Sequence, residues 1–272
     1  MALGRDGGLI TAFLAGIALL CGETLALADG AASEQDRQVC GGEEIARGTV
    51  GKILDGRTFM LDDGREVRLA AIEVEPQDRA DPTAAALSAL AAGDQVVLLR
   101  AESGLDRYGR LLAYAYTLRD GDEFLVQEEL VAEGFARVGS RIAGSCAGDL
   151  LGREKAAREA KLGLWADPYY EVLDAETPRD ALAHRGRFAL VEGKVASVRE
   201  SGPTIYVNFG RRRIGDITVT ILKRNERSFA AAGLDLRSLA GRRIRVRGWI
   251  EARGGDRAWI EAERPEQVET AD

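Results

Sequence analysis

Two Asp-Gly pairs, Asp55-Gly56 and Asp63-Gly64, bracket the short run Thr58-Phe59-Met60-Leu61. Asp-Gly supplies the turn conformation that a tight hairpin demands, so each pair predicts a reversal between two strands. Residues 47–54 lead into the first turn and Glu66 to Ile72 leave the second, giving a three-stranded meander. Pro82 then opens an alanine-rich helix, TAAALSALAA, which Gly93 stops. DQVVLLR and RLLAYAYTL read as two buried strands. Phe124 to Glu133 reads as an amphipathic helix, with Leu125, Leu130 and Val131 apolar and three glutamates facing out. A last helix is expected over about residues 147–161, before Gly163-Leu164-Trp165. Three strands, a helix, two strands and two helices suit a closed five-stranded barrel of the OB type with helices packed outside.

Residues 168–184, with Pro168 and Pro178, read as a linker. A second block follows over 185–268: VEGKVASV, TIYVNF, DITVTIL, a helical piece near Ser228 to Leu239, RIRVRGWI and AWIEA. Its order is again three strands, a helix and two strands, so a second, smaller OB-like barrel is expected, with 269–272 as a tail. The fold class expected is therefore mainly β with α (α+β), in two β-barrel domains.

The front of the chain carries its one strongly apolar run, Leu9 to Leu20, preceded by Arg5 and followed by Ala26-Leu27-Ala28. Twelve residues fall short of the roughly 20 that span a bilayer. The layout predicts a secretory signal peptide, residues 1–28, cut after Ala28. A polar arm, 29–46, would follow, and no transmembrane span would remain in the mature chain. An uncleaved N-terminal anchor is the alternative. Export to a periplasmic or extracellular space leaves Cys40 and Cys146 where disulfides persist. A bridge between them would contribute about 4–5 kcal/mol by the chain-entropy model; two free cysteines fit the sequence as well.

The net charge of −7 conceals an asymmetry. From residue 185 onward there are 18 Lys+Arg against 12 Asp+Glu; before it there are 19 against 32. An acidic first part argues against indiscriminate DNA binding there, and the basic second part keeps that option open. A Ser-His-Asp or Cys-His nucleophile would depend on His184, the single histidine, in the linker. No phosphate-cradling Walker loop is present.

Four motifs in order, Leu54-Asp55-Gly56-x-Thr58, Val67-Arg68-Leu69-x-x-Ile72-Glu73, Asp106-Arg107-Tyr108-Gly109-Arg110-x-x-Ala113-Tyr114 and Gly163-Leu164-Trp165, resemble the thermonuclease (staphylococcal nuclease-like) family. The resemblance spans roughly residues 47–166, within a domain read as 47–167. It implies a calcium-dependent phosphodiesterase acting on DNA or RNA. It also implies that Arg68 and Arg110 contact the scissile phosphate, a role that suits bidentate guanidinium groups. The acidic set departs from the pattern. Where the family turn carries a second, metal-binding aspartate, this chain has Arg57. Glu73 aligns with the other acidic ligand, and Asp55 is the neighbouring carboxylate. The catalytic glutamate aligns with Pro76 or Gln77, and Glu75 could replace it only if the loop shifts by a residue. A cation about 5 Å from a divalent ion repels it by about 6–7 kcal/mol at an effective dielectric near 20. Calcium, expected for the family, is therefore not expected here, and Arg57, Arg68 and Arg110 are expected to hold a phosphate or another anion. An active nuclease with a site rearranged around Glu73, Glu75 and Asp55 is the enzymatic alternative.

In the second block Arg243, Arg245 and Arg247 alternate along one strand and so share a face opposite Ile244 and Val246. With Tyr206, Phe209, Trp249 and Trp259 as stacking partners, and Arg211 to Arg213 at a loop, they form a candidate surface for single-stranded nucleic acid or nucleotides. A solvated arginine face over an apolar core, or an envelope protein-interaction module, are the alternatives.

Overall fold

The computed structural model describes residues 40–75, 81–119, 122–142, 144–210, 217–253 and 257–271. The expected signal peptide, most of the arm, Pro76, Gln77 and Arg211 to Arg213 lie outside the described residues. Strand β1 (Glu44–Asp55) turns into β2 (Thr58–Leu61), and β2 into β3 (Glu66–Leu69). A short β4 (Ile72–Glu73) precedes helix α1 (Pro82–Ala91), β5 (Gln95–Leu105), β6 (Leu111–Arg119) and β7 (Asp122–Leu125). The sheet order is β3-β2-β1-β5-β6-β7, and parallel pairing of β3 with β6 joins the ends of the first five strands. That pairing closes the OB-type barrel. Val50, Phe59, Val67, Leu69, Leu98 and Ala113 fill it.

Gly56 is required by contact rather than by the turn alone. A Cβ there would lie 2.8–2.9 Å from Thr83 at the start of α1 and from Val74. The bare backbone lets α1 approach the hairpin, where Asp81 caps the helix by accepting the Thr83 N–H.

The helix expected over Phe124 to Glu133 starts later. Residues Asp122–Leu125 are drawn onto the open edge of β6, with Phe124 opposite Thr117, and α2 covers only Val126–Ala132. Gln127 pins α2 to that edge strand, accepting from the Ala115 N–H and donating to the Ala113 carbonyl. Strand β8 (Arg137–Val138) then pairs antiparallel with β4, setting Arg137 opposite Glu73, and α3 covers Ala147–Glu159. Cys40 and Cys146 are joined by a disulfide, Cα to Cα 5.1 Å, across 106 residues of sequence. At Gly163 (φ +49°) a Cβ would meet the Gly134 carbonyl at 2.4 Å, so the Gly-Leu-Trp turn seats only with glycine.

Residues 168–184, read as a linker, are folded. They hold a strand β9 (Leu173–Asp174), which pairs in parallel with the following strand, and a helix α4 (Pro178–Ala183). The second barrel comprises β10 (Phe188–Lys194), β11 (Ser197–Ser201), β12 (Thr204–Asn208), β13 (Ile217–Leu222), α5 (Glu226–Ala231), β14 (Arg243–Trp249), β15 (Glu251–Arg253) and β16 (Arg257–Glu261). β10 and β11 act as one strand bent at Val195-Ala196, and β14 and β15 as another bent at Ile250. With the parallel β13–β16 pair these bends complete an OB-like ring. A final β17 (Val268–Thr270) adds to β14, so part of the expected tail is strand.

The described residues belong to one compact unit. The barrels keep separate cores, and a small apolar junction of Ala157, Trp165, Phe188 and Leu190 lies between them.

Candidate functional site

The first hairpin, β3, β4 and the β5–β6 turn converge on one cleft of about 1060 Å³. Six arginines line it, against two carboxylates, Glu73 and Asp106. Arg57 leaves the turn with its backbone fixed: its N–H donates to Asp55 Oδ1 at 2.8 Å and its carbonyl accepts from Leu69. Its guanidinium is mostly buried, donates to the Ile72 carbonyl at 2.5 Å and stands 2.9 Å from Glu73 Oε2. Arg110 is clamped in the same way. Its Nε donates to Asp106 Oδ2 at 2.7 Å, and the guanidinium lies over the Tyr108 ring at 5.1 Å. Burial alone would raise the Asp106 pKa, but hydrogen bonds from the Arg110 side chain and from the Arg110 and Tyr108 backbone outweigh it and hold the carboxyl below its ordinary value.

Arg68 differs from both. It projects from β3, donates to Thr58 Oγ1 at 3.1 Å, and its nearest carboxylate, Asp55, is 3.8 Å away. Its pKa is lowered, first by burial and then by the positive charges of Arg57 and Arg110. Three guanidinium groups thus crowd together, and the central one has only a long pair, 3.8 Å, with Asp55, against the 2.6–2.9 Å pairs of its two neighbours. An anion placed there would be doubly favoured, by direct hydrogen bonds and by relief of like-charge repulsion.

The carboxylates expected to serve calcium or catalysis are otherwise engaged. Glu73 holds Arg57, and Asp55 is taken up with the turn and Arg68. Glu75 does not line the cleft and is paired with Arg137, its Oε1 2.8 Å from Arg137 Nη2. That arginine is itself buried between the Tyr170 and Phe188 rings and donates to the Phe188 carbonyl. Among the described residues no three His, Cys, Asp or Glu side chains converge as a metal cage would require.

The second barrel's arginines share the expected face, but neighbouring strands cover that face with glutamates. Arg243 and Arg245 both pair with Glu192 of β10, and Arg245 also reaches Glu269 of β17. Arg247 is 1% exposed; it pairs with Glu269 and with Glu154 of α3 at 2.8 Å, and donates to the Val138 carbonyl. The expectation that Arg247 meets a ligand is therefore corrected: it is a buried tie between the barrels, enclosed because α3 packs over the strand. Phe209 is in the core, and Tyr206 and Trp259 pack edge to face on each other, so these three form no open stacking row. Trp249, at the end of β14, is the exception. It is 46% exposed and lines the arginine cleft of the first barrel.

Sequence reasoning missed the buried Arg137 and Glu154, and the placing of Tyr108 and Trp249 in the cleft. Tyr108 had a signal, since it lies inside the Asp106 to Arg110 motif. The position of Trp249 depends on how the barrels meet, which no local pattern encodes.

Comparison with known proteins adds the family. Residues 73–167 match the model described as Staphylococcal nuclease homologue. This segment is a staphylococcal nuclease-like domain. The matched span contains Glu73, Asp106, Arg110 and the Gly163-Leu164-Trp165 turn; Asp55, Arg57 and Arg68 precede it, on strands that close the same barrel. No curated protein matches the chain at a significant level. The nuclease family suggests nucleic acid as the ligand class. Among the described residues no helix is long and apolar enough to cross a membrane.

Proposed function

We propose that the nuclease-like barrel binds a phosphate-bearing ligand, single-stranded nucleic acid or a nucleotide, and does not cleave it efficiently by calcium chemistry. Arg68 carries this reading: it is half-buried, crowded by Arg57 and Arg110, and balanced only by a long pair with Asp55 at 3.8 Å. The residues at this corner do not fit a calcium ion. The Ile72 carbonyl and the Glu73 carboxylate, oxygen donors a cation would need, both face the Arg57 guanidinium, whose charge would repel it. No reaction step through a metal is therefore assigned. Arg68 and Arg110 take the phosphate, and Arg57 fills the cation's place as a fixed positive charge. The sites carried over from the family as catalytic become binding residues, and Glu75 is a structural partner of Arg137.

The Cys40–Cys146 disulfide supports an oxidising compartment, and with the N-terminal apolar run it favours an exported protein. Two measurements on the full chain test the reading. Oligonucleotide affinity should fall steeply with salt, as counterion release requires. Single-stranded DNA incubated with calcium, magnesium or manganese should stay intact. Metal-dependent cleavage that disappears in Glu73→Ala would overturn the binding reading, and absent binding at low salt would leave the envelope protein-interaction role.

A further inference from the structure

We infer that Trp249, contributed by the second barrel, is the base-stacking platform of the first barrel's arginine cleft, so that the two barrels together form one site for single-stranded nucleic acid. The inference rests on the phosphate-binding reading above and adds the part of the ligand that phosphate contacts do not recognise. Apart from arginines, the exposed side chains in the cleft include two large aromatic rings, Tyr108 and Trp249. Tyr108 is already engaged. Arg107 lies over it at 4.7 Å and donates to its hydroxyl, and Arg110 lies over it at 5.1 Å. The ring contact of Trp249 is with Phe188, edge-on at 70° and 6.1 Å between centroids, which leaves nearly half of the residue exposed.

The position of Trp249 is fixed from both sides. Two residues before it, Arg247 is buried and bonded to the Val138 carbonyl; immediately after it, buried Ile250 donates its N–H to Arg187. Trp249 itself stands opposite Phe188 in the β10–β14 register. A rigid indole with an open surface loses little freedom when a base covers it, which is what a stacking platform needs. The cleft, about 1060 Å³, exceeds what a phosphate alone would fill and lies just above the roughly 300–1,000 Å³ usual for small-ligand sites. Phosphate at Arg68 and Arg110 with a base on Trp249 uses that space. A duplex keeps its bases stacked on each other, so the site selects single strands.

The test uses the full chain and three fluorescent probes: a short pyrimidine DNA oligonucleotide, the same length of abasic backbone, and a duplex. The oligonucleotide should bind about tenfold more tightly than the abasic chain, as one stacked base implies. It should also bind more tightly than the duplex. Trp249→Ala should erase the preference for bases and leave abasic affinity unchanged; Trp249→Phe, which preserves a ring against Phe188, should retain part of it. Equal binding of oligonucleotide and abasic chain by the unaltered protein would overturn the inference, as would a preference that survives in Trp249→Ala. Abasic binding that Arg68→Ala abolishes keeps the phosphate reading whatever Trp249 does; no binding of any probe defeats both.

Discussion

The molecule carries two arginine clusters, and they have opposite fates. In the second barrel, each arginine of β14 meets a glutamate from a neighbouring strand or from α3, and the register places Glu192 and Glu269 directly opposite Arg245. Burial would raise the Glu192 pKa, but hydrogen bonds from Arg243 and Arg245 override it and keep the carboxyl below its ordinary value. In the first barrel the cations outnumber the carboxylates around the cleft, and the Arg68 pKa is lowered by burial and then by its cationic neighbours. An arginine pattern therefore says little by itself. The carboxylates that the fold brings opposite decide whether it holds the protein together or remains available to a ligand.

The sharpest contrast comes from removing one charge in each cluster. Arg247→Met removes the close cation of the fully buried Glu154, leaving Arg158 3.8 Å away, and should cost about 3–5 kcal/mol of stability, read from the urea midpoint. Arg68→Met gives up the hydrogen bond to Thr58 and the long Asp55 pair but relieves repulsion, and should leave stability within about 1 kcal/mol of the parent protein. If the two variants unfold alike, the distinction between tie and site fails. Binding should show the reverse order. Arg68→Ala should weaken oligonucleotide affinity about ten- to a hundredfold, the range for hydrogen bonds to charged groups, and lower the salt slope by about 0.7.

Arg57→Asp inverts the charge at the cleft floor. Calcium affinity, measured by titration calorimetry, should rise from undetectable to measurable, and phosphate affinity should fall; no change in either would mean that Arg57 is not at the site. Acid weakens the cleft in a definite direction. The folded pKa of Asp106 lies below its unfolded value, so its contribution is complete above about pH 4. It is lost as pH falls through the lower folded value, and chemical-shift titration of Asp106 would follow this. The smallest effect should come from Arg243→Ala, an exposed pair on Glu192, with no resolvable shift of the urea midpoint and unchanged oligonucleotide binding.

Much of the first barrel could be read from turn chemistry. Asp-Gly turns, the Pro82 helix start and Gly93 are local signals, and each marks the boundary it predicts. The extra strand at Asp122–Leu125 was not legible, because its partner is an edge supplied by β6 rather than anything within the segment. The linker concealed β9 for the same reason. At the site, the substitution of Arg57 and the approach of Arg68 and Arg110 were legible as motif positions. What each arginine pairs with was not, since Glu73, Glu154 and Glu269 reach their partners only through sheet register and the packing of α3.

The Cys40–Cys146 disulfide has a practical consequence for the cleft. One cysteine is followed by Gly41 and Gly42, the other follows Gly144, and all three glycines belong to the cleft wall. Tyr116 braces the same corner: its hydroxyl accepts the Cys40 N–H and donates to the Cys40 carbonyl, and burial pushes its pKa up to about 12. The wall is thus finished by an oxidation event rather than by folding alone. Protein prepared with a thiol reductant would present a different pocket from protein that has matured in an oxidising space, and ligand measurements are meaningful only on the latter.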